Sequence, residues 1–262
     1  MSNSAALAGV KVLDVSSVLS GPLSTMLLAD LGADVIKVEP PTAPDFTRGV
    51  GEARNEMTAY FYNTNRGKRA IAVDGRHHLG RKILQQLADQ SDIVVQNMRP
   101  GKAAGIGLDP DQCMERNKSL IYASISGYGS DGPMAGEPVY DYVIQAVTGM
   151  VDAQRDPVTD ALDLTRHFPA DKITAHALAE SILAALFARE RDPQRRGQHV
   201  EVSMHEANLA FMWPDSMMQH SITQDVDGPS LYPAEYYRVY PTRNGAIAVS
   251  YTHLTLPTKR IV

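Results

Sequence analysis

Asp171 is the residue of this sequence best placed to do chemistry. It comes just before the run ITAHALAESILAALF at residues 173–187, in which Glu180 is the only charge. Apolar or small residues on nearly every face of this run predict a helix that is packed on several sides. Asp171 would then stand at the mouth of a buried helix.

Two roles for Asp171 fit this position. An aspartate just before a helix is a common N-cap, a contact that contributes roughly 1 kcal/mol to stability. The free N–H groups and the positive dipole end of a helix can also hold a carboxylate ionised beside a ligand, as a carboxylate nucleophile requires. Both roles can hold together, and the sequence predicts Asp171 as N-cap and as candidate nucleophile.

Four basic residues follow segments that read as strands or loops: Lys68, Arg69, Arg99 and Lys102. At such positions a basic side chain can meet the phosphate groups of a ligand. Taken singly, each is as well explained by a solvated surface position. Whether each side chain contacts a phosphate or only solvent depends on the helices and strands around it.

The N-terminal part alternates strand and helix patterns, which is typical of a parallel α/β sheet. An apolar strand over Val10–Val15, a helix over Pro22–Leu31 and a strand over Val35–Val38 form the first unit. Further strands are predicted over residues 69–73, 93–96 and 120–126, with helices over 79–88 and from Asp109 onward. The predicted fold class is α/β, with a Rossmann-like parallel sheet and helices.

Several classes of function are disfavoured. The turn SSVLSGP at residues 16–22 lacks the GxGxxG motif of dinucleotide-binding folds. His205 and Glu206 have no second histidine at metalloprotease spacing, and Cys113 is the single cysteine, so we expect no metal site and no internal disulfide. The net charge of −5 gives no case for nucleic acid, and no apolar run has membrane-spanning length. We expect a cytoplasmic protein.

Eight short segments carry a family resemblance between Leu7 and about Val249. They are GVKVLD at 9–14, SGP at 20–22, LGADVIKVE at 31–39, NTNRGKR at 63–69, QNMRPG at 96–101, SGYG at 126–129, ADK at 170–172 and GQHV at 197–200. Their order and spacing resemble those of the class III (family III) CoA-transferases of the CaiB/BaiF type, a family that also includes the α-methylacyl-CoA racemases.

The resemblance implies an enzyme that moves CoA from an acyl-CoA thioester to a carboxylic acid, with Asp171 forming anhydride and aspartyl-CoA intermediates. It implies an acyl site at Tyr140, Tyr60 and Leu19. The residues near CoA would be Val18, Lys68, Arg69, Asn97, Met98, Arg99 and Lys102. Coenzyme A thioesters are then substrates, no cofactor is tightly bound, and relatives form interlocked homodimers. A glycine-rich loop further along the chain supplies part of the oxyanion stabilisation in relatives.

Some positions depart from the family pattern. Pro40 stands where relatives carry a basic residue, which puts one adenosine-phosphate contact in doubt. Oxalate-handling relatives have glutamine near Leu19, so a polar contact to a dicarboxylate is missing. Tyr140 stands where racemases place a histidine directly before an aspartate, and a tyrosine, with an ordinary pKa of about 10, is a poor base. A racemase or epimerase stays open as the alternative, as does simple packing of Tyr140 on the sheet.

The sequence predicts three regions. Residues 1–208 would form a Rossmann-like CoA-binding domain, and residues 209–249 a linker and the beginning of a second, smaller α/β domain. Residues 250–262 depart from the family, and we expect them to be a non-native tail, with a divergent loop as the alternative. The chain would then be C-terminally truncated, and a further alternative is an inactive fragment.

Overall fold

The computed structural model describes residues 5–55, 57–156, 159–222 and 238–249. A central sheet is formed by the strands β1 (Lys11–Asp14), β2 (Asp34–Glu39), β5 (Arg69–Ala72), β6 (Ile93–Gln96), β7 (Ile121–Ser126) and β8 (His199–Ser203). All neighbouring pairs are parallel, and the strand order is β5-β2-β1-β6-β7-β8. Two short antiparallel pairs lie outside this sheet: β3 (Ala53–Arg54) with β4 (Met57–Thr58), and β9 (Arg238–Thr242) with β10 (Gly245–Val249).

The described residues form the helices α1 (Ser20–Asp30), α2 (Ala59–Asn65), α3 (His78–Asp89), α4 (Lys102–Gly105), α5 (Pro110–Arg116), α6 (Asp141–Val147), α7 (Met150–Ala153), α8 (Pro169–Arg191) and α9 (Met204–Met212). Short 3-10 helices cover Phe46–Gly49 and Met218–His220. The α/β class and every strand and helix that the sequence predicted within residues 10–126 are confirmed, with ends that differ by one or two residues.

The side chains of the strands alternate between two cores, as the period of an extended chain requires. Val12 and Ile93 face the core under α1 and α8, whereas their neighbours Leu13 and Val94 face the core under α3 and α5. Helix α8 packs on α1, α6, α9 and the sheet, as predicted, and leaves only a narrow exposed stripe.

The order of the strands places a switch point between β1 and β6. From β1 the chain builds outward through β2 and β5, and then returns to the other side of β1 to add β6, β7 and β8. In open parallel sheets of this kind, ligands bind at the carboxyl ends of the strands beside the switch point. A ligand site is therefore expected at the turns that follow β1 and β6.

Little of the predicted second domain can be compared with the structure. The β9 and β10 hairpin lies in the segment that the sequence assigned to the start of that domain. Residues 223–237 and the predicted non-native tail at 250–262 lie outside the described residues.

Candidate active site

The turn after β1 is held in an unusual backbone conformation. Val18 has a φ of 70°, in the left-handed region that β-branched residues rarely adopt. Its backbone N–H lies 3.2 Å from both carboxylate oxygens of Asp45, which also pairs with buried Lys37. Ser17 exchanges two hydrogen bonds with the side chain of Asn97, at 2.9 and 2.7 Å, and so joins this turn to the one after β6. Backbone strain maintained in this way is a mark of functional sites.

A buried charge cluster lies under the turn. Asp14, the last residue of β1, accepts hydrogen bonds from Ser16, Thr25 and the Lys68 ammonium, the last at 2.9 Å. Burial acts to raise the pKa of Asp14, but the charges of Lys68 and Lys37 and these hydrogen bonds outweigh it and hold the pKa well below its usual range. The cluster therefore fixes the floor of the switch-point turn.

The first turn of α8 differs from the sequence prediction. Phe168, with a φ of 52°, is the N-cap residue, and Asp171 is the third residue of the helix. The prediction that Asp171 is the N-cap is therefore wrong, because Pro169 begins the helix two residues earlier. Asp141, at the start of α6, takes over part of the capping, since its Oδ2 accepts the backbone N–H of Asp171 at 2.9 Å.

The carboxylate of Asp171 meets the first residue of α1. The Ser20 hydroxyl donates a short hydrogen bond to Asp171 Oδ1, and the nearby Ser20 backbone N–H also favours the ionised carboxylate. Burial raises the pKa of Asp171 to about 6; the two Ser20 contacts oppose this shift, and the negative charge of Asp141 adds to it. The sequence predicted that helix N–H groups would favour the ionised form, but desolvation outweighs the donors present. At neutral pH the group is still mainly a carboxylate.

Tyr60, which the resemblance placed in the acyl site, lies close enough to this carboxylate for its charge to act on the Tyr60 hydroxyl. Its ring stacks on that of Phe168, with centroids 6.3 Å apart and planes 9° from parallel. Burial and the charges of Asp171, Asp45 and Asp141 raise the pKa of Tyr60 to about 12. Its hydroxyl is therefore a hydrogen-bond donor at neutral pH and a very poor base.

The other two acyl-site candidates lie at helix starts. Tyr140 is the N-cap residue of α6, is 64% exposed and stacks on Tyr142. It is thus not packed on the sheet, which excludes the simple packing role. Leu19 is buried and precedes Ser20.

The structure gives Lys68 a different position from the predicted one. Its side chain is 2% exposed, and its ammonium donates to Asp14, to the Pro22 carbonyl and to the Asn65 side chain. An ammonium has three donors. All three are used inside the protein, so neither a phosphate contact nor a solvated surface position fits Lys68.

A cavity of about 280 Å³ lies over this region. Arg69 lines it and also forms an exposed two-bond pair with Asp34 at 2.6 and 3.0 Å. Arg48, paired with Glu39, and Arg66 line the same cavity. The structure thus brings three arginines to one cavity beside β5, of which the sequence singled out only Arg69.

The remaining CoA candidates lie after β6. Met98 and Arg99 line a second cavity, of about 220 Å³, at the carboxyl ends of β6 and β7 and beside the first half of β8. Asn97 ties this loop to the turn after β1. Lys102 is exposed as the first residue of α4. Val18 and Asn97 therefore lie together at the switch point, whereas Arg69 and Arg99 line separate cavities.

Sequence reasoning gave no role to Ser20, Asp45 or Arg48. Ser20 was noted only as part of the SGP segment, although serine at the start of a helix is a local capping signal. Its partner Asp171 lies 151 residues further along the chain. No local pattern connects positions so far apart.

The part of the chain described by the structure has no cluster of His, Cys, Asp or Glu residues suited to a metal ion. Likewise, none of the helices in the described ranges is long and apolar enough to cross a membrane.

Comparisons with known proteins agree on one family. The family model of CoA-transferase family III matches residues 7–256. The chain is 36% identical to an acetyl-CoA:oxalate CoA-transferase from Acetobacter aceti, over 78% of this chain and 52% of that protein. It is 32% identical to a succinate–glutarate CoA-transferase from Agrobacterium fabrum, over 93% of this chain and 62% of that protein.

A solved structure gives the same result for the fold. The crystal structure of a CAIB/BAIF family protein from Brucella suis superposes with a TM-score of 0.83 at 31% identity, covering 93% of this chain and 65% of that one. The chain therefore spans between about half and two thirds of the length of these relatives. The match along nearly the whole sequence, carried by a fold that puts Asp171 beside the switch point, means that this chain belongs to CoA-transferase family III.

Proposed function

We propose that the protein transfers CoA from an acyl-CoA thioester to a carboxylic acid, with Asp171 as the nucleophile. The observation that carries this proposal is the state of the Asp171 carboxylate. It is partly buried, its pKa is raised to about 6, and it lies at the ligand-binding edge of the sheet. A carboxylate that is ionised at neutral pH but poorly hydrated is well suited to attack a carbonyl carbon.

The proposed reaction proceeds through covalent intermediates on Asp171. A carboxylate oxygen attacks the donor thioester, the C–S bond breaks, and CoA leaves as a thiolate from a mixed anhydride. The thiolate attacks Cγ of Asp171, the anhydride C–O bond breaks, and the donor acid leaves as a carboxylate from an aspartyl-CoA thioester. The acceptor carboxylate then attacks Cγ and releases CoA, which attacks the acyl carbonyl of the new anhydride and frees Asp171. No step needs a proton donor.

In this proposal CoA lies along the turns at the switch point. Val18, Asn97 and Met98 would contact the pantetheine arm, because their turns flank the route from the sheet edge to Asp171. Arg69 and Arg99 would meet phosphates, each from its own cavity, and exposed Lys102 would add positive charge near the second cavity. Lys68 would act indirectly, by holding Asp14 under the turn.

The proposal includes the acyl site and the assembly. Tyr60, Leu19 and Tyr140 would line the space for the acyl group, with the Tyr60 hydroxyl as a donor. Residues 1–208 would form the CoA-binding domain and residues 209–249 the link to a second domain. The complete enzyme would act as a homodimer in the cytoplasm, on CoA thioesters and carboxylic acids as substrates and without a tightly bound cofactor.

The test is chemical trapping of the intermediate. The protein is incubated with an acyl-CoA, quenched with borohydride or hydroxylamine, digested and examined by mass spectrometry. We expect an adduct on Asp171 that depends on acyl-CoA and is absent from Asp171→Asn. Glu180→Gln is the matched control, because Glu180 is an exposed carboxylate on the same helix, and it should trap as the parent does. A parent protein that never traps at Asp171 would refute the proposal.

A further inference from the structure

Ser20 donates a hydrogen bond to the carboxylate of Asp171 through its hydroxyl. The acceptor is Oδ1, and the nearby Ser20 backbone N–H also favours the ionised form of the same group. Ser20 is buried and is the first residue of the 11-residue helix α1, whose N-cap residue Leu19 makes no side-chain capping bond. The positive end of α1 is therefore directed at Asp171.

We propose that Ser20 is the oxyanion hole for the reactions at Cγ of Asp171. This inference rests on the proposed function. It assigns Ser20 a role at the aspartyl carbon itself, which is attacked twice in each cycle, first by the CoA thiolate and then by the acceptor carboxylate.

The chemistry distinguishes the two oxygens of Asp171. The hydroxyl of Ser20 engages Oδ1 and leaves Oδ2 to attack the donor thioester. Oδ2 becomes the bridging oxygen of the anhydride and departs with the donor acid. Oδ1 stays on Cγ throughout, as the carbonyl oxygen of the anhydride and the thioester, and carries the negative charge in each tetrahedral intermediate. Fixed donors to that oxygen are the arrangement that stabilises such a charge.

The other groups near Asp171 are poorly suited to stabilise negative charge on Oδ1. Among the groups that shift the pKa of Asp171 in the described structure, the charged one is Asp141, which is an anion and would oppose charge on Oδ1. Tyr60 is the other titratable group beside Asp171, and it is neutral at physiological pH. Among the described residues, the hydrogen bond that the Asp171 carboxylate accepts from a side chain comes from Ser20.

Both sides of the contact are held rigidly, as an oxyanion hole requires. Gly21 approaches Ser16 so closely that an added Cβ would lie 2.3 Å from the Ser16 Cβ. On the other side, the buried Asn208 side chain donates to the Ala170 carbonyl at 3.1 Å, in the first turn of α8. Neither Ser20 nor Asp171 can move away from the other without disturbing packed backbone.

The experiment compares Ser20→Ala with Ser20→Thr, which keeps a hydroxyl, and with Ser24→Ala. Ser24 lies one turn further along α1, and its buried hydroxyl donates to the Gly21 carbonyl at 2.7 Å. Single turnovers with acyl-CoA are quenched in acid, and released CoA thiol and aspartyl-CoA are quantified, together with kcat and the melting temperature.

For Ser20→Ala we expect kcat to fall by about 100-fold, the usual effect of removing one oxyanion donor. Released CoA should build up ahead of aspartyl-CoA, because attack at Cγ is slowed while attack by Asp171 is not. The acid limb of the pH profile should move to higher pH, because a donor to the ionised form is lost. Ser20→Thr should recover most of the loss, and Ser24→Ala should behave as the parent.

Two results would overturn the inference. One is a kcat for Ser20→Ala within threefold of the parent. The other is a fall in kcat with an unchanged ratio of released CoA to aspartyl-CoA, which would reduce Ser20 to a structural contact. Either result with normal trapping at Asp171 in the parent leaves the proposed function standing, whereas absence of trapping in the parent refutes the function itself.

Discussion

Oδ2 of Asp141 accepts the backbone N–H of Asp171 at 2.9 Å, although the two residues are 30 positions apart. The contact joins the first turn of α8 to the first residue of α6. The other oxygen of Asp141 accepts from the Gln145 amide, which holds the carboxylate in place. Asp141 thus fixes the backbone of the candidate nucleophile, and its charge adds to the effect of burial in raising the pKa of Asp171.

Replacing Asp141 should therefore change the titration of Asp171. In Asp141→Asn, we expect the pKa of Asp171 to fall below about 6, because a negative neighbour is removed. Carboxyl-carbon NMR of Asp171, or the acid limb of the activity profile, measures this shift. Asp111→Asn is the control, since Asp111 is an exposed acidic residue in the first turn of α5. An unchanged or higher pKa in Asp141→Asn would contradict the assigned electrostatic role.

Asp171→Asn should stabilise the fold at neutral pH. The folded-state pKa of about 6 lies above the ordinary value of 3.8, so native stability falls as pH rises from about 3.8 and levels off above about 6. The parent should therefore lose stability relative to Asp171→Asn between about pH 4 and pH 7, by up to roughly 3 kcal/mol at about 1.4 kcal/mol per pKa unit. Denaturant unfolding at both pH values checks this. A difference that does not depend on pH would show that the carboxylate is well solvated.

Lys68→Met should lower the free energy of unfolding much more than Arg69→Met does, although the two residues are adjacent. Lys68→Met removes the ammonium that pairs with the buried carboxylate of Asp14, which should cost about 3 kcal/mol or more of unfolding free energy. Arg69→Met breaks an exposed pair with Asp34 and should cost less than about 1 kcal/mol. Chemical denaturation of both variants makes the comparison. Similar small costs for both would mean that Lys68 is not held as described.

Gly21→Ala and Gly105→Ala should change the stability of the fold in opposite directions. Both glycines lie in helices, where alanine is normally favoured by about 0.5–1 kcal/mol. An added Cβ at Gly21 would meet Ser16 at 2.3 Å, whereas at Gly105 no atom lies within 4 Å. We expect Gly21→Ala to destabilise by about 1–3 kcal/mol. A higher melting temperature for both variants would indicate that the turn after β1 can move to accommodate the added Cβ at Gly21.

For the proposed transfer, we expect the complete enzyme to move CoA between acids faster than it exchanges the α-proton of a 2-methylacyl-CoA. Tyr140 stands where racemases use histidine, and the pKa of Tyr60, at about 12, makes that residue unsuited to the task. Mass spectrometry of the thioester after incubation in heavy water, with no acceptor acid, should find little deuterium. Tyr140→His should not speed up transfer. Rapid exchange by the parent would favour the racemase reaction instead.

The sequence alone determined the elements and the identity of the candidate nucleophile. Hydrophobic runs such as Ile93–Gln96 and the apolar pattern around Leu178 depend on nearby residues only, and the structure confirms the strand and the helix they predict. Asp171 could be singled out because a carboxylate beside the start of a long apolar helix is a local signal, and because the ADK motif at 170–172 is part of the family resemblance. The α/β class followed from the alternation of these local patterns.

The tertiary structure decided what surrounds Asp171. The contacts with Ser20 and Asp141 join residues 151 and 30 positions apart, and only packing of α1, α6 and α8 at one edge of the sheet brings them together. The same holds for Lys68, which the family resemblance placed near CoA but whose side chain is buried against Asp14 at the end of β1. Charge, burial and hydrogen bonding act through space, so the direction of a pKa shift could not be read from neighbours in the sequence.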